Sequence, residues 1–411
     1  MNVLHTIGFY AILNYADKFL TFIIPLLVLR FHSDLYRDLE YLIAWSLLLA
    51  PWLDFGLRPY VFFAYCKTED VADKKRILQT SKLILILFEV VYLLIGIAGA
   101  LALQNVFIFL CGIRSIFLLY TQVQSYFCRL TDNPSNTILI SITTNIAIVA
   151  VIFLYKFCNW QYGILEYSFA YMILLGIVLY SSILGFCGIV HFNFNLFSEL
   201  WSFFKQIFVF AWPTFVILFV TAIENNFIKI WGYSQLNKEA YTEFLLLIRC
   251  FIIVLLAHSA ALTFYQKQIF NKKSNQIKIY LKYLLVVCVG FAGMVCFIAF
   301  SWYTAFIPNI PLNGNFVIVA GIYLFMFSRA YLESFFLRDN KLLFSMVGSV
   351  CGFSVLFLLF LICRILYPGT INLRKLLLFQ LAAEGINFVF NSFYLIINAK
   401  IIRRKKCPVV N

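Results

Sequence analysis

Apolar runs of about 20 residues alternate with short polar breaks along almost the whole chain, and each run is long enough as a helix to cross a ~30 Å hydrocarbon layer. Twelve such stretches can be marked, at about 9–30, 42–66, 83–103, 105–128, 137–157, 167–191, 206–232, 241–265, 283–303, 313–337, 342–366 and 375–398. The polar breaks are too short to fold as soluble domains; the longest run from Lys67 to Lys82 and from Gln266 to Lys282. The pattern predicts an all-α polytopic membrane protein with about 12 transmembrane helices in two six-helix bundles around a central cavity. The basic doublets Lys74-Lys75 and Lys272-Lys273 stand 198 residues apart, each after the second span of six. That spacing suggests similar halves at residues 1–200 and 201–411, of the kind transporters use as parallel repeats.

Several runs are interrupted by charge. Span 2, LIAWSLLLAPWLDFGLRPYVFFAYC, carries Asp54 and Arg58 in its interior. A charge at membrane depth costs at least ~2.5–3.5 kcal/mol, so it turns toward a partner or a watery cavity. At spacing i, i+4 the two share one helix face and can pair. Two readings stand: an ion pair that locks helices together, or a face that lines a polar pathway. Span 1 places Asp17 and Lys18 near mid-bilayer, about 100° apart on the helix, and Pro25 further along. Span 4 has Arg114 with Thr121, Gln124 and Ser125 on nearly the same face, a stripe that suits either a cavity or interhelical hydrogen bonds.

Span 7 contains Glu224, Asn225, Asn226 and Lys229. Lys229 is near enough to the surface to snorkel, which leaves Glu224 as the buried ionisable group. In span 8, Arg249 falls roughly 12 Å deep at 1.5 Å per residue. Span 10 pairs Arg329 with Glu333 at i, i+4, expected to be structural, and span 12 aligns Glu384, Asn387 and Asn391 on one stripe. Glu89 stands alone in span 3, and Ser345, Gly348, Ser349 and Gly352 give span 11 the small-residue spacing of close helix packing.

Composition agrees with the pattern: 63% of the 411 residues are apolar, where a soluble domain has about 45–50%, and mean hydropathy is +0.91. The net charge of +14 could point to nucleic acid, so its placement decides. With a cytoplasmic N-terminus, nineteen of the 32 Lys and Arg fall in inside loops and the tail. This positive-inside bias puts both termini in the cytoplasm and removes the need for a nucleic-acid partner. The eleven cysteines are scattered without C-x-x-C or metal spacing, so no zinc or disulfide is expected. The opening MNVLHTIGF lacks a basic n-region and a small-residue cleavage site, and span 1 is expected to be retained.

No nucleophile elbow, phosphate-binding loop or H-E-x-x-H motif is present. The chain is therefore not expected to be an enzyme or to carry a cofactor. What remains is a set of intramembrane cations (Lys18, Arg58, Arg114, Arg249, Arg329) and carboxylates (Asp17, Asp54, Glu224, Glu384). Arginine presents a planar fork that holds phosphate oxygens bidentately, so the cations suit an anionic headgroup. The carboxylates can change charge during transport and are the ion-coupling candidates.

NYADKFLTFIIPLLVLR in span 1, DFGLRPYVFF in span 2, and AWPTFVILFVTAIENNFIKIWG followed by EAYTEFLLLIRC across spans 7 and 8 carry a resemblance over the full chain. With twelve spans in two halves and both termini inside, the chain resembles a Wzx-type O-antigen or polysaccharide-repeat-unit flippase of the multidrug/oligosaccharidyl-lipid/polysaccharide exporter superfamily. It departs from the family pattern at Ala240, where members often carry glycine before the tyrosine. The lipid II flippases of the superfamily usually have fourteen spans. The resemblance implies movement of an undecaprenyl-diphosphate-linked oligosaccharide from the cytoplasmic to the periplasmic leaflet of a bacterial inner membrane by alternating access. Membrane lipids, a polymerase and other polysaccharide-assembly proteins would be its partners. Related flippases hold the diphosphate with cavity arginines on early spans and on span 8; Arg58 and Arg249 occupy matching spans here, and Lys18 stands where arginine is usual.

Two other functions compete with this one, while a purely structural scaffold would not explain charged residues recurring at mid-span in at least six helices. A multidrug exporter of the same superfamily would carry a net acidic cavity, whereas the mid-span set here leans cationic. A polytopic glycosyltransferase or O-antigen polymerase would need a large outside loop, and HSDLYRDLEY, with Asp34, Asp38 and Glu40, has only ten residues.

Overall fold

A computed structural model describes residues 3–131, 135–189, 195–270, 276–306, 308, 310, 312–338, 342–367 and 371–406. The described chain is helical: α1 (Val3–Phe31), α2 (Tyr36–Leu53), α3 (Leu57–Lys67), α4 (Val71–Ala102), α5 (Val106–Thr131), α6 (Ser135–Phe157), α7 (Ile164–Ile189), α8 (Asn195–Gln235), α9 (Lys238–Phe270), α10 (Gln276–Thr304), α11 (Gly314–Arg338), α12 (Leu342–Leu366) and α13 (Leu373–Lys406). Each of the twelve predicted stretches falls mainly on helix. Among the described residues, eight helices are individually long and apolar enough to cross a membrane. Large apolar side chains such as Leu94 and Ile95 on α4, Leu285 and Val289 on α10, and Leu358 and Ile362 on α12 are exposed. A water-facing surface would not carry such a belt; a lipid-facing one does. The protein is an all-α, multi-pass membrane protein.

Helix ends are set locally. Asp70 caps α4 through Ala72 N–H (3.2 Å), Asn237 caps α9 through Ala240 N–H (2.8 Å), and Asn372 caps α13 through Lys375 N–H (3.0 Å). Each side-chain oxygen satisfies one of the amide groups that a helix start leaves without a partner. Because α4 begins at Val71, the predicted basic loop shrinks to a few residues, and Lys74, Lys75, Arg76 and Lys82 ride on its first turns. Similarly α9 extends to Phe270 and α10 begins at Gln276.

The main departure from the predicted spans is in span 2, which is two helices rather than one. The chain leaves α2 at Asp54, passes Phe55 (φ 45°) and Gly56 (φ 81°), and resumes as α3. Glycine occupies the left-handed region without penalty, whereas a bulky side chain there costs about 1–2 kcal/mol. Packing holds Phe55 in place: its ring stacks on Phe215 (5.5 Å) and tilts against Phe88 (6.0 Å). A backbone opened among buried residues must find partners within the protein. Tyr92 of α4 donates its hydroxyl to the Leu53 carbonyl (3.1 Å), and Leu57 N–H closes onto the Asp54 carbonyl (2.8 Å).

Two compact units divide the chain, Met1–Ala222 and Ile223–Asn411, with the boundary inside α8. In the first, α1 packs on α6, α2 on α5, and α4 on α5. In the second, α9 packs on α10 and α11, and α13 on α11 and α12. Gly352 lets α12 close on α13: a Cβ added there would lie 2.9 Å from the Ala383 carbonyl oxygen.

Candidate functional site

The first unit holds five of the predicted site residues, Asp17, Lys18, Asp54, Arg58 and Arg114, in three separate surroundings. At the break in span 2, Asp54 is fully buried and Arg58 is 15% exposed, and Arg58 Nε donates to Asp54 Oδ2 at 2.8 Å. The Arg58 backbone N–H also reaches Asp54 Oδ1 (3.3 Å). The carboxylate thus caps α3 from the end of α2 and holds the guanidinium at once. The i, i+4 spacing predicted the pair, but the pair bridges a helix break instead of lying on one continuous face.

On α1, Asp17 is buried and faces α6. Its Oδ1 accepts from Ser141 Oγ and from Asn145 Nδ2 at 2.9 Å, and Asn145 also donates to Thr21 Oγ1 (3.2 Å). Lys18, its neighbour, is exposed. The adjacent residues therefore serve different environments, and Ser141 and Asn145, which sequence reasoning passed over, are the residues that fix Asp17. Both sit on an apolar helix 124 and 128 residues away, so only the tertiary pairing of α1 with α6 exposes the connection.

Arg114 of α5 is buried, with its guanidinium over the Tyr171 ring (5.7 Å). Tyr171 and Tyr167 of α7 share a hydroxyl contact of 3.1 Å. Nε and Nη1 of Arg114 have no hydrogen-bond partner among the described residues. The side chain of Ser125, expected on the same stripe, lies outside the described residues, while Thr121 and Gln124 are half-buried.

The second unit contains the densest charge cluster. Arg329 of α11, 3% exposed, contacts Glu384 of α13 at 3.1 Å, Glu224 of α8 at 3.3 Å and Glu333 of its own helix at 3.6 Å. The expected local pair with Glu333 is its longest contact. Arg329 instead joins three helices, and no i, i+4 argument could find partners so far away along the chain. Apart from these ion-pair contacts, Glu224 Oε1 and both Glu384 oxygens lack a hydrogen-bond donor among the described residues. Around them the α13 stripe is fully buried: Asn387 donates to Ser349 (3.4 Å) and Asn391 to Asn387 (2.9 Å). Gln380 donates to the Glu224 carbonyl (3.3 Å).

Arg249 of α9 is buried at 5% exposure, as its depth in span 8 suggested. Lys229 corrects an expectation: it is 7% exposed rather than snorkelling to the surface, and Tyr241 seals the same stretch by donating to its carbonyl (2.8 Å). His258 is an aromatic-core residue, in contact with the Tyr283 hydroxyl (2.7 Å) and stacked on Phe327 (4.5 Å). No group of three metal-ligating side chains occurs among the described residues. The acidic stretch from His32 to Tyr41 is largely taken up by α2, where Glu40 is buried.

No protein-family model matches the sequence, and no curated protein matches it significantly. Solved structures do match in fold. The MATE multidrug transporter DinF-BH, solved as a complex, is similar with a TM-score of 0.59 at 13% identity, over 95% of this chain and 93% of that one. The lipid II flippase MurJ in an inward closed conformation is similar with a TM-score of 0.56 at 14% identity, over 94% of this chain and 87% of that one. The eukaryotic MATE transporter AtDTX14 is similar with a TM-score of 0.50 at 11% identity, over 96% of this chain and 94% of that one. The chain thus has the fold of polytopic transporters, shared by MATE proteins and a lipid II flippase. At these identities the likeness concerns the fold.

Proposed function

We propose that the protein is a membrane transporter that acts as a flippase. Its cargo in this reading is an undecaprenyl-diphosphate-linked oligosaccharide, moved from the cytoplasmic to the periplasmic leaflet of a bacterial inner membrane, with both termini cytoplasmic. The observation that carries the reading is the arginine at the break of span 2, held ready by Asp54 where a discontinuous helix opens the backbone. Broken helices of this kind form substrate and ion sites in transporters. Arg58 and Arg249 are assigned to the diphosphate oxygens, with Arg114 and Lys18 as further cationic contacts. The halves that alternate are residues 1–200 and 201–411.

Glu224 and Glu384, with Asp17 and Asp54, are assigned to ion coupling. Among the described residues, three carboxyl groups contact Arg329, and two of them, Glu224 and Glu384, are buried with it, which leaves a formal deficit of positive charge there. Uncompensated charge in a buried place costs several kcal/mol per ion, so a coupling ion, a proton or sodium, would find its countercharge here. The same carboxylate excess supports the second reading, export of organic cations, which the fold also accommodates.

The test is surface polysaccharide in a strain that depends on this protein. Arg58→Ala with Arg249→Ala is expected to abolish it while the protein remains in the membrane at wild-type level. Normal polysaccharide from that variant, with a deletion strain hypersensitive to cationic drugs, would overturn the flippase reading in favour of drug export.

A further inference from the structure

A groove of about 600 Å³ in the first unit has no part in the proposed transport site. Three helix faces build it. Tyr60, Phe63, Ala64 and Lys67 recur at helical spacing on α3, Arg76, Ile77 and Thr80 on α4, and Ser202, Phe203 and Gln206 near the start of α8. Its wall is firm: Tyr60 belongs to a buried apolar cluster against which Ala64, Ile77 and Phe203 pack, and the Tyr60 ring meets Phe203 edge-on at 5.1 Å.

The lining has two chemistries. Lys67 and Arg76 bring two positive charges, and no acidic residue is among the described lining residues. Glu69, Asp70 and Asp73 are close in sequence and do not line it. The Lys67 ammonium lies 5.6 Å from the Phe63 ring centre, folded back along α3 toward the groove. Tyr60 donates to Gln206 Oε1 at 2.6 Å, which leaves the Gln206 amide as a donor for an acceptor in the groove. Phe63, Ile77 and Phe203 supply apolar wall. The volume falls within the ~300–1,000 Å³ of small-molecule sites. Tyr60 to Lys67 spans roughly 10 Å along α3 at 1.5 Å per residue, enough to cover a headgroup layer of about 5–8 Å and the first acyl methylenes.

We propose that this groove binds the phosphate of an anionic phospholipid from the leaflet at the Lys67 end of α3. Lys67 and Arg76 hold the phosphate, Gln206 donates to a phosphate or ester oxygen, and the first acyl methylenes lie against Phe63, Ile77 and Phe203. The site does not depend on what the protein transports.

Native mass spectrometry of the detergent-purified full chain tests it, with phosphatidylglycerol, phosphatidylcholine and inorganic phosphate as probes. Wild-type protein is expected to retain phosphatidylglycerol, and Lys67→Gln with Arg76→Gln to weaken that retention at least tenfold. Lys74→Gln with Lys75→Gln removes the same charge from the neighbouring helix turn without touching the groove, and is expected to leave retention unchanged. Thermal unfolding of both double variants checks that each is folded. Equal losses in the two variants, unchanged retention in Lys67→Gln with Arg76→Gln, or equal retention of phosphatidylcholine would overturn the proposal. Displacement of the lipid by inorganic phosphate at matching concentration would overturn the lipid source.

Discussion

Replacing Arg329 by glutamine should unfold the second unit before anything else fails. In the native protein this guanidinium is 3% exposed and lies 3.1 Å from Glu384 and 3.3 Å from Glu224. Removing it leaves two fully buried carboxyl groups with no cation in contact among the described residues, and orphaning one partner of a buried pair costs about 3–5 kcal/mol. A unit of this size loses about 2–4 °C of melting temperature per kcal/mol. The expected drop is therefore ~6–20 °C, read by tryptophan fluorescence of detergent-solubilised protein. Adding Glu384→Gln removes one of the two charges that Arg329→Gln orphaned, and contacting residues couple by about 0.5–3 kcal/mol. The double variant should therefore melt above the single one. A single variant within ~2 °C of wild type would refute the reasoning, as would a double variant no more stable than Arg329→Gln.

Two further outcomes follow from local geometry. Gly352→Ala would place its Cβ 2.9 Å from the Ala383 carbonyl oxygen and 3.2 Å from both Asn387 Cβ and Glu224 Oε1, so overpacking should cost about 1–3 kcal/mol; an unchanged melting temperature would show that α12 and α13 do not pack this closely. Glu89 is fully buried with neither oxygen hydrogen-bonded among the described residues, so Glu89→Gln, which keeps the volume and cannot carry charge, should melt at or above wild type; a loss of more than ~1 kcal/mol would mean that a charged partner holds it.

Much of the architecture is legible one residue at a time, because entering lipid is a transfer process that each apolar side chain undergoes separately. Summed over about 20 residues, it marks a span wherever the span later packs. That additive quantity marked the apolar stretches that fold as helices, and the charges inside them, Asp17, Arg58, Arg114 and Arg249, are buried or nearly so. The i, i+4 rule likewise reached the Asp54 and Arg58 pair, because both partners sit on adjoining turns.

What only the tertiary structure decided is which buried polar groups meet. The break at Phe55 and Gly56 depends on Phe88, Phe215 and Tyr92, residues from other helices that hold the strained backbone and donate to its freed carbonyl. Asp17 belongs to Ser141 and Asn145 through the pairing of α1 with α6. Arg329, expected to serve Glu333, serves Glu224 and Glu384 because α8, α11 and α13 bring their charges together. Lys229 remains inside when its reach would have allowed escape. Hydropathy sets how deep a residue lies and leaves open which way it turns. In a membrane, where water cannot satisfy a misdirected polar group, the turn is settled by the partner that a neighbouring helix presents.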